Sequence, residues 1–108
     1  MSSRTLIVLT TCATAVEAEG LAAALVEQRL AACVNTVGNV LSTYRWQGGV
    51  QRERENLLVI KTTEDRFAAL EQAIKERSSY EVPEVIAIRV HAGSARYLEW
   101  VRSAVTED

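Results

Sequence analysis

The chain has 108 residues, 48% of them hydrophobic and 24% charged, with a formal net charge of -2. That size suits one compact domain over residues 1–108, with a core that needs no disulfide staples. The lack of a basic surplus argues against a nucleic-acid partner, and the early apolar run Leu6–Leu9 is too short for a signal peptide or a membrane span.

Leu6–Leu9, rich in branched residues, reads as a first strand buried on both faces. Thr14-Ala-Val-Glu17 has the spacing of a capping box, so the alanine-rich stretch after it, with Leu21, Leu25 and Val26, is expected to be helical to about Arg29. From Ala31 the pattern alternates. Cys33, Asn35 and Val37 share one row, and beyond the irregular Gly38-Asn39 the residues Ser42, Tyr44 and Trp46 fall on another. Gly48-Gly49 signals a turn, and Val50 to about Thr62 reads as the returning strand of a long hairpin.

A second helix is expected to begin near Glu64 and Asp65, to carry Phe67, Leu70 and Ile74 on one face, and to end near Ser78. Tyr80–Glu84 contains Pro83, which fits an extended connector. Val85–Val90 then reads as a fourth strand, and Ser94 as the N-cap of a short terminal helix with Tyr97, Leu98, Val101 and Val105. The element order predicts an α+β fold. It is a ferredoxin-like split βαβ sandwich with an antiparallel sheet, helices on one face, a long β-hairpin and a C-terminal helix. The hairpin is too long for so small a domain, so its edges and the rings of Tyr44 and Trp46 call for cover by another subunit.

Several segments, taken together and in order, carry a family likeness. Leu30-Ala-Ala-Cys-Val-Asn35, Ser42-Thr-Tyr-Arg-Trp-Gln-Gly48, Glu55, Ile60-Lys-Thr62, Tyr80-Glu-Val-Pro-Glu84, Gly93, Tyr97-Leu98 and Trp100 resemble the CutA family of divalent-cation tolerance proteins. The resemblance implies a homotrimer, similar in architecture to the PII signalling proteins, in which the hairpin packs on neighbouring subunits. It also implies a role linked to tolerance of copper or another divalent cation, with no organic cofactor. Ser78-Ser79 stands where relatives carry His-Pro before the tyrosine, and Arg89 lies near a family proline; the first difference removes a histidine that could bind metal.

Cys33 is the first candidate metal ligand, because a thiolate suits copper(I) better than a hard cation; the alternative is a small core residue. Cys12 reads as packing or a loop thiol. His91, without a partner at ligand spacing, reads as a solvated loop residue. Lys61, Tyr80 and Glu84 are candidates for an intersubunit cleft, which the resemblance brings together: Lys61 for an anion, Glu84 for a cation, Tyr80 as an aromatic wall. A structural ion pair is the plain alternative. Tyr44 and Trp46 are expected at the trimer interface. Glu53 and Glu55, alternating with Arg52 and Arg54, could chelate a hard ion but read as a solvated surface.

Nothing in the sequence makes a nucleophile–base pair or a phosphate-cradling loop, so an enzyme is not expected. Neither cysteine sits in a CxxC motif, and a cytoplasmic protein with reduced thiols is expected. The leading reading is a trimeric metal-binding tolerance protein; a PII-like sensor of small molecules or anions and a trimeric interaction scaffold are the alternatives.

Overall fold

The computed structural model describes residues 4–106. In chain order these form β1 (Thr5–Cys12), α1 (Ala15–Glu27), β2 (Cys33–Trp46), β3 (Gly49–Thr63), a 3-10 turn (Glu64–Arg66) leading into α2 (Phe67–Arg77), β4 (Ile86–Arg89) and α3 (Ala95–Val105). Both predicted caps are present. Thr14 accepts from the Glu17 amide at 3.1 Å to start α1, and Ser94 accepts from the Tyr97 amide at 3.4 Å to start α3. α1 stops where Arg29 turns to a positive φ of 59°, a conformation that cannot continue a right-handed helix.

The four strands form one antiparallel sheet in the order β2-β3-β1-β4. β3 thus lies between β1 and β2, and β1 between β3 and β4, which is the arrangement of a split βαβ unit. Directly opposed residues of an antiparallel ladder share a face. Leu6, Val8, Thr10 and Cys12 therefore line up with Thr62, Ile60, Leu58 and Asn56 on one side of the sheet. α1 and α2 cover that side with Leu21, Leu25, Leu70 and Ile74, and the main core lies between.

The other side differs from the expectation of a strand buried on both faces. Ile7, Leu9 and Thr11 are only partly buried, and beside them Ile86 and Ile88 on β4 are 51% and 54% exposed. Neither α1 nor α2 lies over these isoleucines, because both use the opposite side; with respect to those two helices this is the helix-free side. α3 also departs from the expected single helical layer. It contacts β1 and β3, accepts from Arg66 Nε at the Val105 carbonyl (2.8 Å) just beyond the Thr63 end of β3, and builds a separate small apolar cluster from Val101, Val105 and Ala32.

The hairpin behaves as predicted in length and differs in phase. β1 pairs with β3 only from Asn56 to Thr63, so residues 40–46 and 49–55 continue as a two-stranded arm of about 23 Å at strand rise. The arm gives the subunit its longest dimension, 46 Å against 26 and 22 Å. At its tip the turn is centred on Gln47-Gly48, one residue earlier than the expected Gly48-Gly49. Both have positive φ (50° and 81°), as a I′ hairpin turn requires.

At its root the register shifts between Val37 and Val40, where Gly38 and Asn39 insert one extra residue in β2. The bulge flips the parity of the strand. Ser42, Tyr44 and Trp46 consequently lie on the same side as Cys33, Asn35 and Val37, not on a different row.

Candidate functional site

The arm has two chemically different faces. One presents Ser42, Tyr44 and Trp46 with Glu53 and Glu55; the other presents Leu41, Thr43 and Arg45 with Val50, Arg52 and Arg54. Strict alternation of Arg and Glu along β3 produces this separation, since successive strand residues point to opposite sides.

Where the acidic face meets the connector after α2, a depression of about 730 Å³ opens. Its wall includes Tyr44, Trp46 and Tyr80 as aromatic surfaces and Glu53, Glu55, Glu81 and Glu84 as carboxylates; no Lys or Arg lines it. Tyr80 donates its hydroxyl to Glu55 Oε1 at 2.6 Å, and Tyr44 donates to Glu53 Oε1. The connector is held in place by Ser79, whose amide and hydroxyl donate to Glu17 at 3.3 and 2.7 Å. Ser79 thus ties the loop to α1.

The phenols follow these contacts. Burial, the bond to Glu55 and nearby carboxylate charge push the Tyr80 pKa well above its usual value, and the bond to Glu53 raises that of Tyr44. With both hydroxyl protons directed inward to glutamates, the free carboxylate oxygens around the depression are acceptors only. The lining is therefore built for donors and positive charge. No cationic side chain there offers an anion a charge partner.

Cys12 lies beneath this region. It is 1% exposed, and burial, reinforced by the charges of Glu17 and Glu55, raises its thiol pKa from 9.0 to about 11. Cys12 will therefore resist alkylation by iodoacetamide at pH 8 in the folded protein and react once urea unfolds it. Cys33→Ala protein that loses its remaining thiol without denaturant would contradict this burial. The raised pKa also fixes a sign. The unfolded thiol ionises first, so the stability that Cys12 contributes is intact below about pH 9 and is lost as pH climbs toward 11.

The structure brings only some of the sequence candidates together. Tyr80 and Glu84 share the depression; Lys61 does not line it. Lys61 lies six residues along β3 from Glu55, about 20 Å at strand rise, and its ammonium donates to Asn35 Oδ1. Within one subunit, Lys61 and Glu84 are thus not a pair. Cys33 is partly buried on the helix-free side, in register with Lys61. Tyr44 and Trp46 are 37% and 38% exposed on the arm. His91 is exposed beyond β4. Among the described residues of one subunit, no three His, Cys, Asp or Glu side chains are grouped closely enough to hold a metal ion, so these residues alone do not fit one.

Glu53 and Glu55, read from sequence as solvated surface, are part of this wall. Their alternation with arginine was visible in the chain; the connector that encloses them was not.

Comparison with known proteins agrees with this architecture. A family model described as CutA1 divalent ion tolerance protein matches residues 6–104. The divalent-cation tolerance protein CutA of Thermus thermophilus is 45% identical over 96 residues, which are 89% of this chain and 93% of that one. The rice protein named CutA 1, chloroplastic, is 44% identical over 87 residues, 81% of this chain, and this chain spans only 49% of its length. The crystal structure of CutA1 from Oryza sativa aligns with a TM-score of 0.94 at 37% identity, covering 99% of this chain and 98% of that one.

Proposed function

The chain belongs to the CutA1 family of divalent ion tolerance proteins, and we propose that it acts, without catalysis, as a homotrimer that binds copper or a similar cation through groups pooled between copies. The observation that carries this reading is the helix-free side of the sheet. There, half-exposed Ile86 and Ile88 adjoin partly buried Ile7, Leu9 and Val59, and Cys33 lies on the same side. Apolar surface of this kind on a protein of ordinary charge favours association. Association through it also brings copies of Cys33 closer than one subunit can.

Pooling is called for because the described residues of one subunit hold no three grouped ligands. A thiolate set contributed by several chains suits copper(I), whose preference is for soft donors. The free thiols Cys12 and Cys33 support a reducing, cytoplasmic setting. No helix among the described residues is long and apolar enough to cross a membrane.

Titration with copper(I) under reducing conditions tests the reading. Wild-type protein is expected to bind a substoichiometric amount, about one ion per three chains, and Cys33→Ala to lose that binding while keeping its assembly state. Equal binding by both proteins would remove Cys33 from the metal site.

A second reading, a PII-like sensor of anionic small molecules, has one specific support. Lys61 lies on the same helix-free side, away from the acidic depression, where an assembly could place its charge in a shared cleft. Thermal-shift screening separates the two, because a ligand that binds only the folded assembly raises its melting temperature.

A further inference from the structure

We infer that the connector between α2 and β4 is a latched strap: the Glu17 carboxylate holds it in place through Ser79, and on its release turns to the Thr14 amide of its own helix. Every group involved lies in one subunit, so the latch requires neither the assembly nor the metal proposed above.

Thr14-Ala-Val-Glu17 has the sequence of a capping box, in which two bonds are exchanged. The threonine hydroxyl accepts from the glutamate amide, and the glutamate carboxylate accepts from the threonine amide. Only the first bond is made here. Thr14 Oγ1 accepts from the Glu17 amide at 3.1 Å, whereas both carboxylate oxygens of Glu17 are turned to Ser79, Oε1 to its hydroxyl at 2.7 Å and Oε2 to its amide at 3.3 Å. The Thr14 amide meets no protein acceptor among the described residues. One carboxylate thus has two competing partners, one in use across the fold and one unused within its own helix turn.

Little else holds the strap. Residues 79–84 make no backbone–backbone hydrogen bond among the described residues, and Val82 is 68% exposed. Beyond Ser79, the strap's hydrogen bond to the body of the subunit is that of the Tyr80 hydroxyl to Glu55; the Tyr80 amide donates to Ser78 Oγ at 3.1 Å, at the strap's own base. Backbone with so few partners opens locally at small cost. Opening strands no charge either. Glu17 lies in the first turn of α1, where the helix dipole and the free Thr14 amide both favour a carboxylate.

The two positions of the strap differ at the depression. Latched, Ser79 sets the adjacent Tyr80 as an aromatic wall with its hydroxyl on Glu55; released, the wall and that bond are lost together. Ser79 and Glu17 are therefore positioning residues for Tyr80. A ligand that rests on the seated ring favours the latched position, and the start of α1 responds to it.

Amide hydrogen exchange read by NMR, with tyrosine ionisation followed by ultraviolet absorbance, tests the latch in the full chain. Ser79→Ala removes the hydroxyl and changes no charge. It should slow exchange of the Thr14 amide at least about fivefold, as the Glu17 carboxylate turns to it, and speed exchange of the Tyr80 amide. The Tyr80 phenol, held well above its ordinary pKa by burial and by Glu55, should then ionise nearer the range of a free tyrosine. Ser79→Thr keeps both donors and should match wild type. Glu17→Ala should free Tyr80 as Ser79→Ala does and leave the Thr14 amide exchanging fast, because no carboxylate remains to accept from it. Circular dichroism confirms that each variant is folded.

A Thr14 amide that exchanges equally fast in Ser79→Ala and wild type would overturn the change of partner. An unchanged Tyr80 titration in Ser79→Ala would show that Ser79 does not position the ring. Loss of protection throughout α1 in that variant would mean that the contact only braces the helix, and the latch would fail with it.

Discussion

Replacing Ile88 with Asp is expected to leave an isolated subunit folded and to break the assembly. Ile88 is 54% exposed in the subunit, so the change there should cost about 1 kcal/mol or less, the range of surface and strand-propensity effects. In an assembly that covers the helix-free side, the same carboxylate is desolvated without a partner. That penalty is about 3 kcal/mol or more per copy, enough to shift dissociation by two orders of magnitude. Light scattering at micromolar concentration should report single subunits for Ile88→Asp and a trimer for wild type and Ile88→Val. A trimer of unchanged stability in Ile88→Asp would mean that this face is not the contact.

The second large effect is in the main core. Ile60 is 0% exposed on β3, opposite Val8 on one side and Val34 on the other, beneath the layer of α1 and α2. Ile60→Ala removes three carbons from a site walled by two ladders, where collapse is difficult, and should cost about 3–4 kcal/mol. Domains have only about 5–15 kcal/mol in total. Urea unfolding at fixed protein concentration should therefore show a much lower midpoint with an unchanged slope. A loss below about 1 kcal/mol would show that the surroundings close over the gap.

Much of the fold was legible in the chain because its signals are local. The caps at Thr14 and Ser94, the helical spacing of Leu70 and Ile74, and the strand alternation after Ala31 each follow from contacts within a few residues. Parity across Gly38-Asn39 was not legible. A bulge shifts every later side chain to the other face, and the amount of the shift depends on how Val37 and Val40 pair with Leu57 and Glu55, far along the sequence.

The site was harder for the same reason. Within one subunit Tyr80 and Glu84 share the depression with Glu55 and Glu53, while Lys61 lies farther along β3. Which part of β3 the connector reaches is set by where α2 ends and how Ser79 holds Glu17, and both are tertiary facts. Cys33 was flagged for its chemistry. Its position on the helix-free side depends on sheet register, which composition does not reveal.

The central place of β1 has a further consequence, for the order of folding. Its two neighbours are β3 and β4, and Leu6 is opposite Arg89, so β1 is completed only by β4, which comes after all the other strands of the sheet. Hydrogen bonding on that edge must wait until β4 has left the ribosome, and β1 depends on β3 alone until then. Pairings this distant raise the loop-closure entropy of the transition state, so refolding should be slow beside that of a helical bundle of equal length.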